Sequence, residues 1–193
     1  MALNYAAVAC APCAPGTAQP LANRATCNVC APGEYQPLSG QTSCIACPKG
    51  GYCGSEGAAS AAMAFTQCSA GTYNPDRGSS SPDGCRACPT GKANPVPGSD
   101  DPDVCIPCLP GAFAFVEGEG VCDQCPAGTY ADGHGSTVCR ACEGGYCPNG
   151  TSIPISCEVG AGLAHTEVER QGATGRESCV CKPGYYALPA TDG

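Results

Sequence analysis

Eleven cysteines of this 193-residue chain have a glycine three positions later, and ten of them, all but Cys147, recur at steps of 15 to 24 residues. This repeat of ten motifs constrains the fold more than any other feature. Successive motifs begin 17 residues apart in four cases, and an aromatic residue often stands two positions after the glycine. So short a unit packs mainly on its neighbours, which predicts a tandem array. The cysteines that begin these motifs define repeats 1 to 10: Cys13, Cys30, Cys47, Cys68, Cys88, Cys108, Cys125, Cys142, Cys157 and Cys181.

The composition decides between a disordered chain and a disulfide scaffold. Leu, Ile, Val and Phe together number 23, which is too few for an ordinary apolar core. Cysteine numbers 20, and a content this high is typical of a disulfide scaffold. We therefore expect a small disulfide-rich fold, an elongated array of short units with little regular secondary structure beyond short irregular β-strands and turns. A single helical turn is predicted at Ala58–Phe65, where Gly and Pro are absent.

Within each repeat, the motif glycine is expected at a turn with positive φ, where a side chain would clash. The aromatic residue is expected to lie across a disulfide of its own or the adjacent repeat, in a small sulfur–aromatic cluster.

The exceptions to the spacing indicate pairwise bonding. Seven motif cysteines have another cysteine three residues earlier, whereas repeats 4 and 9 have Phe65 and Pro154 at that position. In both cases the preceding repeat contains an extra cysteine, Cys53 or Cys147, in the string Gly-Gly-Tyr-Cys. A missing bonding partner is thus replaced by a nearby one.

A sequential rule then assigns disulfides: each of the ten motif cysteines bonds the next cysteine that is not one of these ten. It gives Cys13–Cys27, Cys30–Cys44, Cys47–Cys53, Cys68–Cys85, Cys88–Cys105, Cys108–Cys122, Cys125–Cys139, Cys142–Cys147 and Cys157–Cys179. The rule leaves Cys10 and Cys181 over, and we expect them to bond outside this stretch, with a bond to each other as the alternative. Connectivity is not fixed by sequence. Interlocked pairings stay open at the irregular repeats: Cys47–Cys68 with Cys53–Cys85, and Cys142–Cys157 with Cys147–Cys179.

Repeated Cys-x-x-Cys pairs also occur in zinc ribbons, which hold the metal with four thiolates. Seven such pairs cannot be divided evenly among four-thiolate sites, and Cys53 and Cys147 make sense as disulfide partners. A thioredoxin-like redox site needs a βαβ setting, which the sequence lacks. We expect no metal and no cofactor.

The run Cys-x-x-Cys-Pro-x-Gly-x-Tyr, clearest within residues 122–142, resembles the cysteine-rich repeats of ephrin receptors. It is similar also to tumour necrosis factor receptor modules and to cysteine-rich surface antigens of ciliates. The segment Cys179–Tyr186 resembles the end of an EGF-like module without its final cysteine. The resemblance implies three parts: an N-terminal segment 1–9, tandem ephrin-receptor-like repeats 10–141, and an irregular, truncated EGF-like part 142–193.

The redox chemistry and the charge indicate the compartment and the partners. Twenty half-cystines persist in an oxidising environment, so we expect an extracellular or cell-surface protein. A net charge of −8 argues against nucleic acid, and no apolar run is long enough for direct membrane insertion. The start Met1–Cys10 lacks the features of a signal peptide, so we expect a piece of a longer polypeptide.

Few residues suggest chemistry. His134 and His165 are isolated in loops, and no nucleophile motif accompanies them, so we expect no enzyme. The acids Asp100, Asp101, Asp103, Glu117 and Glu119 are calcium ligands by type, but a solvated acidic loop explains them as well. Asn149-Gly-Thr151 is an N-glycosylation sequon, which predicts a glycan at Asn149.

Two functions fit these observations. The first is a structural segment of a large extracellular protein, a disulfide-stapled rod that serves as a stalk, coat or filament unit, such as a ciliary appendage. Its partners would be the rest of its own polypeptide, further copies of itself, or other extracellular structural proteins. The alternative is a receptor or adhesion ectodomain that binds a protein ligand through exposed aromatic residues, for which Phe65, Phe113 and Phe115 are the candidates.

Overall fold

A computed structural model describes residues 9–160 and 164–187. The chain divides into two compact regions. One comprises the chain up to Arg86 together with Pro97–Pro102, and the other comprises Ala87–Val96 and the chain from Asp103 onward. Each region is built from the same repeat.

Short strands make up most of the regular structure of the described residues. In repeats 1 to 7 the motif turn leads into a strand of two or three residues, which pairs with the residues just before the next motif cysteine. Thus Thr129 lies opposite Ala141, and Tyr130 lies opposite Arg140. In chain order, consecutive members of the following set pair into eight two-stranded sheets: Thr17–Ala18, Asn28–Val29, Glu34–Tyr35, Ile45–Ala46, Gly51–Cys53, Phe65–Gln67, Thr72–Tyr73, Arg86–Ala87, Lys92–Ala93, Ile106–Pro107, Ala112–Phe113, Asp123–Gln124, Thr129–Tyr130, Arg140–Ala141, Thr166–Val168 and Cys179–Cys181.

Helices are a minor component of the described chain. There are two four-residue α-helices, Ala61–Ala64 and Cys157–Gly160, and three 3-10 turns, Pro82–Gly84, Pro102–Val104 and Arg176–Ser178. The helical turn predicted at Ala58–Phe65 is therefore shorter than expected, because Phe65 is already extended and pairs with Cys53. None of the helices in the described ranges has the length or the apolar character needed to cross a membrane.

Nine disulfides each close a loop within one repeat, and the structure brings together the pairs that the sequential rule gives. Seven of them join cysteines 14 to 22 positions apart, and two close smaller loops, Cys47–Cys53 and Cys142–Cys147. The Cα–Cα distances of 5.5–6.0 Å lie in the usual range for disulfides. Cys10 and Cys181 are outside these nine bonds.

The buried core consists largely of cysteine and alanine. The motif cysteines of repeats 1 to 9 are all buried. Tyr35 and Phe65 pack against a cluster that contains Cys47 and Cys53. Tyr146 packs with Cys157, so aromatic rings contact half-cystines as expected from the motif, although these contacts do not occur at every repeat.

Candidate functional site

The residues that suggested chemistry are dispersed over the surface. His134 and His165 are exposed, and the His165 ring stacks on Tyr185 with 4.2 Å between ring centroids. No group of three or more His, Cys, Asp or Glu side chains within the described ranges is arranged to hold a metal ion, and this includes the acids between Asp100 and Glu119.

An open cleft of about 540 Å³ lies beside repeats 8 to 10. Its lining is mostly polar, and Lys182 pairs there with Glu158 at 2.6 Å. The hydrogen bond from Lys182, with its charge, lowers the pKa of the Glu158 carboxyl, and the same bond raises the pKa of Lys182. Both side chains are well exposed, so this pair contributes little to stability.

The most regular feature is instead the junction, the set of backbone hydrogen bonds that joins one repeat to the next. At the junction between repeats 6 and 7, Gly111 N–H donates to Ala131 O at 2.8 Å, and Gly111 O accepts from Cys125 N–H at 2.9 Å. Gly135 N–H donates to Cys108 O at 2.8 Å. Both backbone groups of the motif glycine therefore bond the following repeat.

The same junction recurs along both compact regions. The donor–acceptor distances of its motif-glycine bonds stay between 2.7 and 3.0 Å. The glycines whose N–H donates to the next repeat are Gly16, Gly33, Gly50, Gly91, Gly111 and Gly128. Because the bonds use backbone atoms, the junction depends on turn geometry rather than on particular side chains.

A second series of glycines completes the junction, and the sequence analysis did not identify it. Each member has φ between +67° and +81°, and its N–H donates to the carbonyl of the preceding repeat's motif cysteine at 2.8–2.9 Å. The members are Gly40, Gly57, Gly78, Gly98, Gly118, Gly135, Gly150 and Gly172. In repeats 2 to 7 this turn glycine lies ten residues after the motif cysteine, a period that is visible in the sequence. Repeat 1 has Asn23 there, with φ +58°.

The motif glycines have two reasons to be glycine. Eight of the ten have the positive φ that the sequence predicts, while in repeat 8 the positive φ falls on Gly144 rather than on Gly145. In addition, the carbonyl oxygen of a turn glycine two repeats further on lies directly against the motif glycine. A Cβ at Gly111 would overlap Gly150 O, and a Cβ at Gly128 would lie 2.6 Å from Gly172 O. Six repeats, those of Gly16, Gly33, Gly50, Gly91, Gly111 and Gly128, therefore contact both their next and their second neighbour.

Buried amide side chains hold the loops that form these junctions. The position three residues after the motif glycine is Gln19, Gln36, Asn74 or Asn94 in four repeats, and both asparagines are fully buried. Asn74 Nδ2 donates to Gly51 O and to Ser79 Oγ, both at 2.8 Å, and Asn74 Oδ1 accepts from Asp76 N–H. No buried side-chain nitrogen or oxygen of the described residues lacks a partner.

In the irregular repeats 3 and 8, the side chain of Phe65 and the backbone of Ile155 lie against the second glycine of the Gly-Gly-Tyr-Cys string. Phe65, which stands where an upstream cysteine is expected, lies with its ring against the Cα of Gly51. In the same way the backbone of Ile155 lies against Gly145, and Ile155 and Tyr146 exchange two backbone hydrogen bonds of 2.9 Å. Phe65 therefore packs inside the fold, and it is not an exposed ligand contact.

Two other predicted sites lie at the surface. Phe115 is 65% exposed, whereas Phe113 is half-buried in its strand. Asn149 is exposed in a turn, and the next residue, Gly150, donates its N–H to Cys125 O.

Comparison with protein families gives a partial match. A family model described as tyrosine-protein kinase ephrin type A/B receptor-like matches residues 16–63, about a quarter of the chain. A comparison with curated proteins finds no match. The match, together with the nine disulfides, indicates a cysteine-rich module of the ephrin-receptor-like kind and an extracellular or secreted location.

Proposed function

We propose that this segment is a structural element of a large extracellular protein, a disulfide-stapled rod that acts as a stalk, coat or filament unit. The single observation that carries the proposal is the repeated junction, in which the motif glycine of one repeat bonds the next repeat through both of its backbone groups. A chain built this way gains its stability from contacts between neighbours, so length is added by adding repeats. It has no catalytic role in this proposal.

Several features support a spacer. The chemistry-bearing side chains of the described residues are dispersed, while the junction geometry is repeated with small variation. The proposal includes the division of the chain by its resemblance to known modules. Residues 10–141 would form repeats like those of ephrin and tumour necrosis factor receptors, and residues 142–193 would form an EGF-like part. We also propose that Asn149 carries a glycan, because Asn149 is exposed.

The test removes one period of the repeat. Deletion of residues 109–125, which is 17 residues, joins Cys108 to the turn of repeat 7, so that Cys108 can bond Cys139. We expect an oxidised protein with one disulfide fewer and a shorter maximum dimension by small-angle X-ray scattering. The matched control deletes residues 109–116, eight residues that break the period, and we expect it to mispair.

An unchanged maximum dimension in the period deletion would argue against a rod. Unfolding of both deletions alike would argue against neighbour-by-neighbour stability, since a single cooperative core does not tolerate loss of an internal segment.

A receptor or adhesion ectodomain is the second candidate. One hairpin loop, between the strands Ala112–Phe113 and Asp123–Gln124, exposes Phe115, Val116 and Val121. Exposed aromatic and aliphatic side chains on one loop are typical of protein contacts. Saturable binding of a soluble protein that is lost in Phe115→Ser, and kept in the equally exposed control Leu38→Ser, would favour this function.

A further inference from the structure

The junction between repeats 7 and 8 contains a dipeptide that can modify itself. Asn149 is followed by Gly150, and no other asparagine of the chain precedes a glycine. The backbone nitrogen after an asparagine can attack the side-chain amide, and glycine favours this attack because it has no side chain to hinder the approach. The buried loop residues Asn74 and Asn94 precede proline, which has no N–H to give up in this reaction.

The reaction needs water as its only co-reactant. The Gly150 nitrogen loses its proton to solvent and bonds Cγ of Asn149, while the bond from Cγ to Nδ2 breaks and the amide takes up a proton and leaves as ammonia. Water then opens the resulting succinimide ring at either carbonyl. One product is aspartate. The other is isoaspartate, in which the main chain runs through Cβ and Cγ of residue 149.

The folded junction occupies the attacking nitrogen. Asn149 is exposed, so its side-chain amide is open to water. Gly150 N–H, however, donates to Cys125 O at 2.8 Å, so the nitrogen that must lose its proton is engaged in the junction. Gly150 has φ +71°, and its carbonyl oxygen lies directly against Gly111, so its peptide units cannot rotate without opening the contact with repeat 6. The nitrogen is therefore available when the junction opens.

The turn around Asn149 is fixed on both sides. Thr151 Oγ1 donates to Pro148 O, which closes the turn across Asn149, and Thr151 O accepts from Ala131 N–H at 3.3 Å. The same hydroxyl bond, to the carbonyl three residues earlier, closes the turns at Thr17, Thr72 and Thr129. The exposed asparagine is therefore held in a turn that the fold uses repeatedly.

We propose that Asn149 is a site of spontaneous deamidation and that the junction between repeats 7 and 8 protects it. The reaction proceeds from the opened junction, so its rate is the intrinsic rate of the Asn-Gly dipeptide multiplied by the fraction of molecules in which Gly150 is released. This inference goes beyond the proposed function, because it concerns the lifetime of one junction and not the shape of the segment.

Deamidation to isoaspartate makes the opening permanent. The main chain before Gly150 is then one atom longer, yet Gly150 must still place its N–H on Cys125 and its oxygen against Gly111. That oxygen already fills the space beside Gly111, so the longer chain does not fit. A glycan on Nδ2 would occupy the nitrogen that leaves as ammonia, so glycosylation and deamidation are alternative fates of the same amide.

The experiment follows the oxidised chain, made in a host without N-glycosylation, during incubation in mildly alkaline buffer. Peptide mapping measures the aspartate and isoaspartate formed at residue 149, and hydrogen exchange measures the release of Gly150 N–H in the same sample. The reduced and alkylated chain gives the unprotected rate. We expect the oxidised chain to deamidate at least about tenfold more slowly than the reduced one, the effect of an opening free energy of about 1.4 kcal/mol.

Two matched variants test whether the protection is local. In Gly111→Ala the new Cβ overlaps Gly150 O, and in Gly91→Ala the new Cβ overlaps Gly135 O in the same way. We expect Gly111→Ala to accelerate deamidation at least about tenfold, and Gly91→Ala to leave it near the parent rate. Exchange of Gly150 N–H should rise by the same factor as deamidation, because both reactions need the same nitrogen released.

Deamidation of the oxidised chain at the rate of the reduced chain would overturn the proposal, and so would equal acceleration in the two variants. A change in the exchange of Gly150 N–H without a change in deamidation would also contradict it. If either variant does not form nine disulfides, a denaturant series on the parent chain decides, since exchange and deamidation must then rise together.

Discussion

At the scale of single residues, the motif glycine is required by two independent effects. Gly111 has φ +89°, which costs an L-residue about 1–2 kcal/mol. Gly150 O also occupies the space of its missing Cβ. Because the obstacle is backbone of another repeat, it cannot move without opening that junction.

Substitution of Gly111 by alanine should therefore destabilise the protein by about 2–5 kcal/mol, the sum of backbone strain and overpacking. Gly144→Ala should lose about 1 kcal/mol, because its φ is positive but nothing lies within 4 Å. Denaturant unfolding with the disulfides intact, followed by circular dichroism, measures the difference. Equal losses in the two variants would mean that the close approach of Gly150 O has no energetic weight.

At the scale of the element, each repeat is a turn, a two-residue strand pair and a disulfide. Strands this short have little stability of their own, so the cross-link and the junction determine whether the hairpin forms. Cys125, fully buried, bonds Cys139 across the hairpin of Thr129–Tyr130 and Arg140–Ala141. The loop spans 14 positions, for which the chain-entropy model gives about 3 kcal/mol.

Replacement of both Cys125 and Cys139 by alanine should cost about 3 kcal/mol and leave the other repeats folded. Hydrogen exchange should accelerate in the hairpin and in its two junctions, and stay unchanged near Gly16. The single variant Cys139→Ala is the comparison, because it leaves a thiol that can exchange with neighbouring disulfides. Global loss of protection in the double variant would contradict the idea that repeats are stabilised by their neighbours.

At the scale of the whole molecule, the connectivity of the cysteines decides whether the array forms. The sequential pairing keeps every bond local, since the largest separation is 22 positions, in Cys157–Cys179. The interlocked pairings would also be local, and the sequence does not separate them. The connectivity of the oxidised protein in solution stays a prediction.

Peptide mapping of the non-reduced protein should recover the nine sequential pairs and no zinc. The diagnostic peptides are those that link Cys47 to Cys53 and Cys142 to Cys147. Recovery of a Cys47–Cys68 disulfide instead would contradict the structure of repeat 3. There Cys47 bonds Cys53, and the strand Gly51–Cys53 pairs with Phe65–Gln67. Stoichiometric zinc with reduced thiols would overturn the extracellular location.

The sequence by itself determined the class of the fold. Twenty cysteines, few large apolar residues and a motif with constant spacing permit a disulfide scaffold of repeats, because nothing else in the composition offsets chain entropy. The motif also predicted the positive φ of most of its glycines, since that requirement is local. The sequence also shows a glycine ten residues after most motif cysteines, but it does not show that this glycine bonds the preceding repeat.

The tertiary structure alone decided what each repeat touches. The bond from Gly135 to Cys108 and the approach of Gly150 to Gly111 join residues of different repeats, and the ring of Phe65 over Gly51 joins the two strands of one irregular repeat. Such contacts depend on how far one turn rotates the chain relative to the last, and no single motif encodes that rotation.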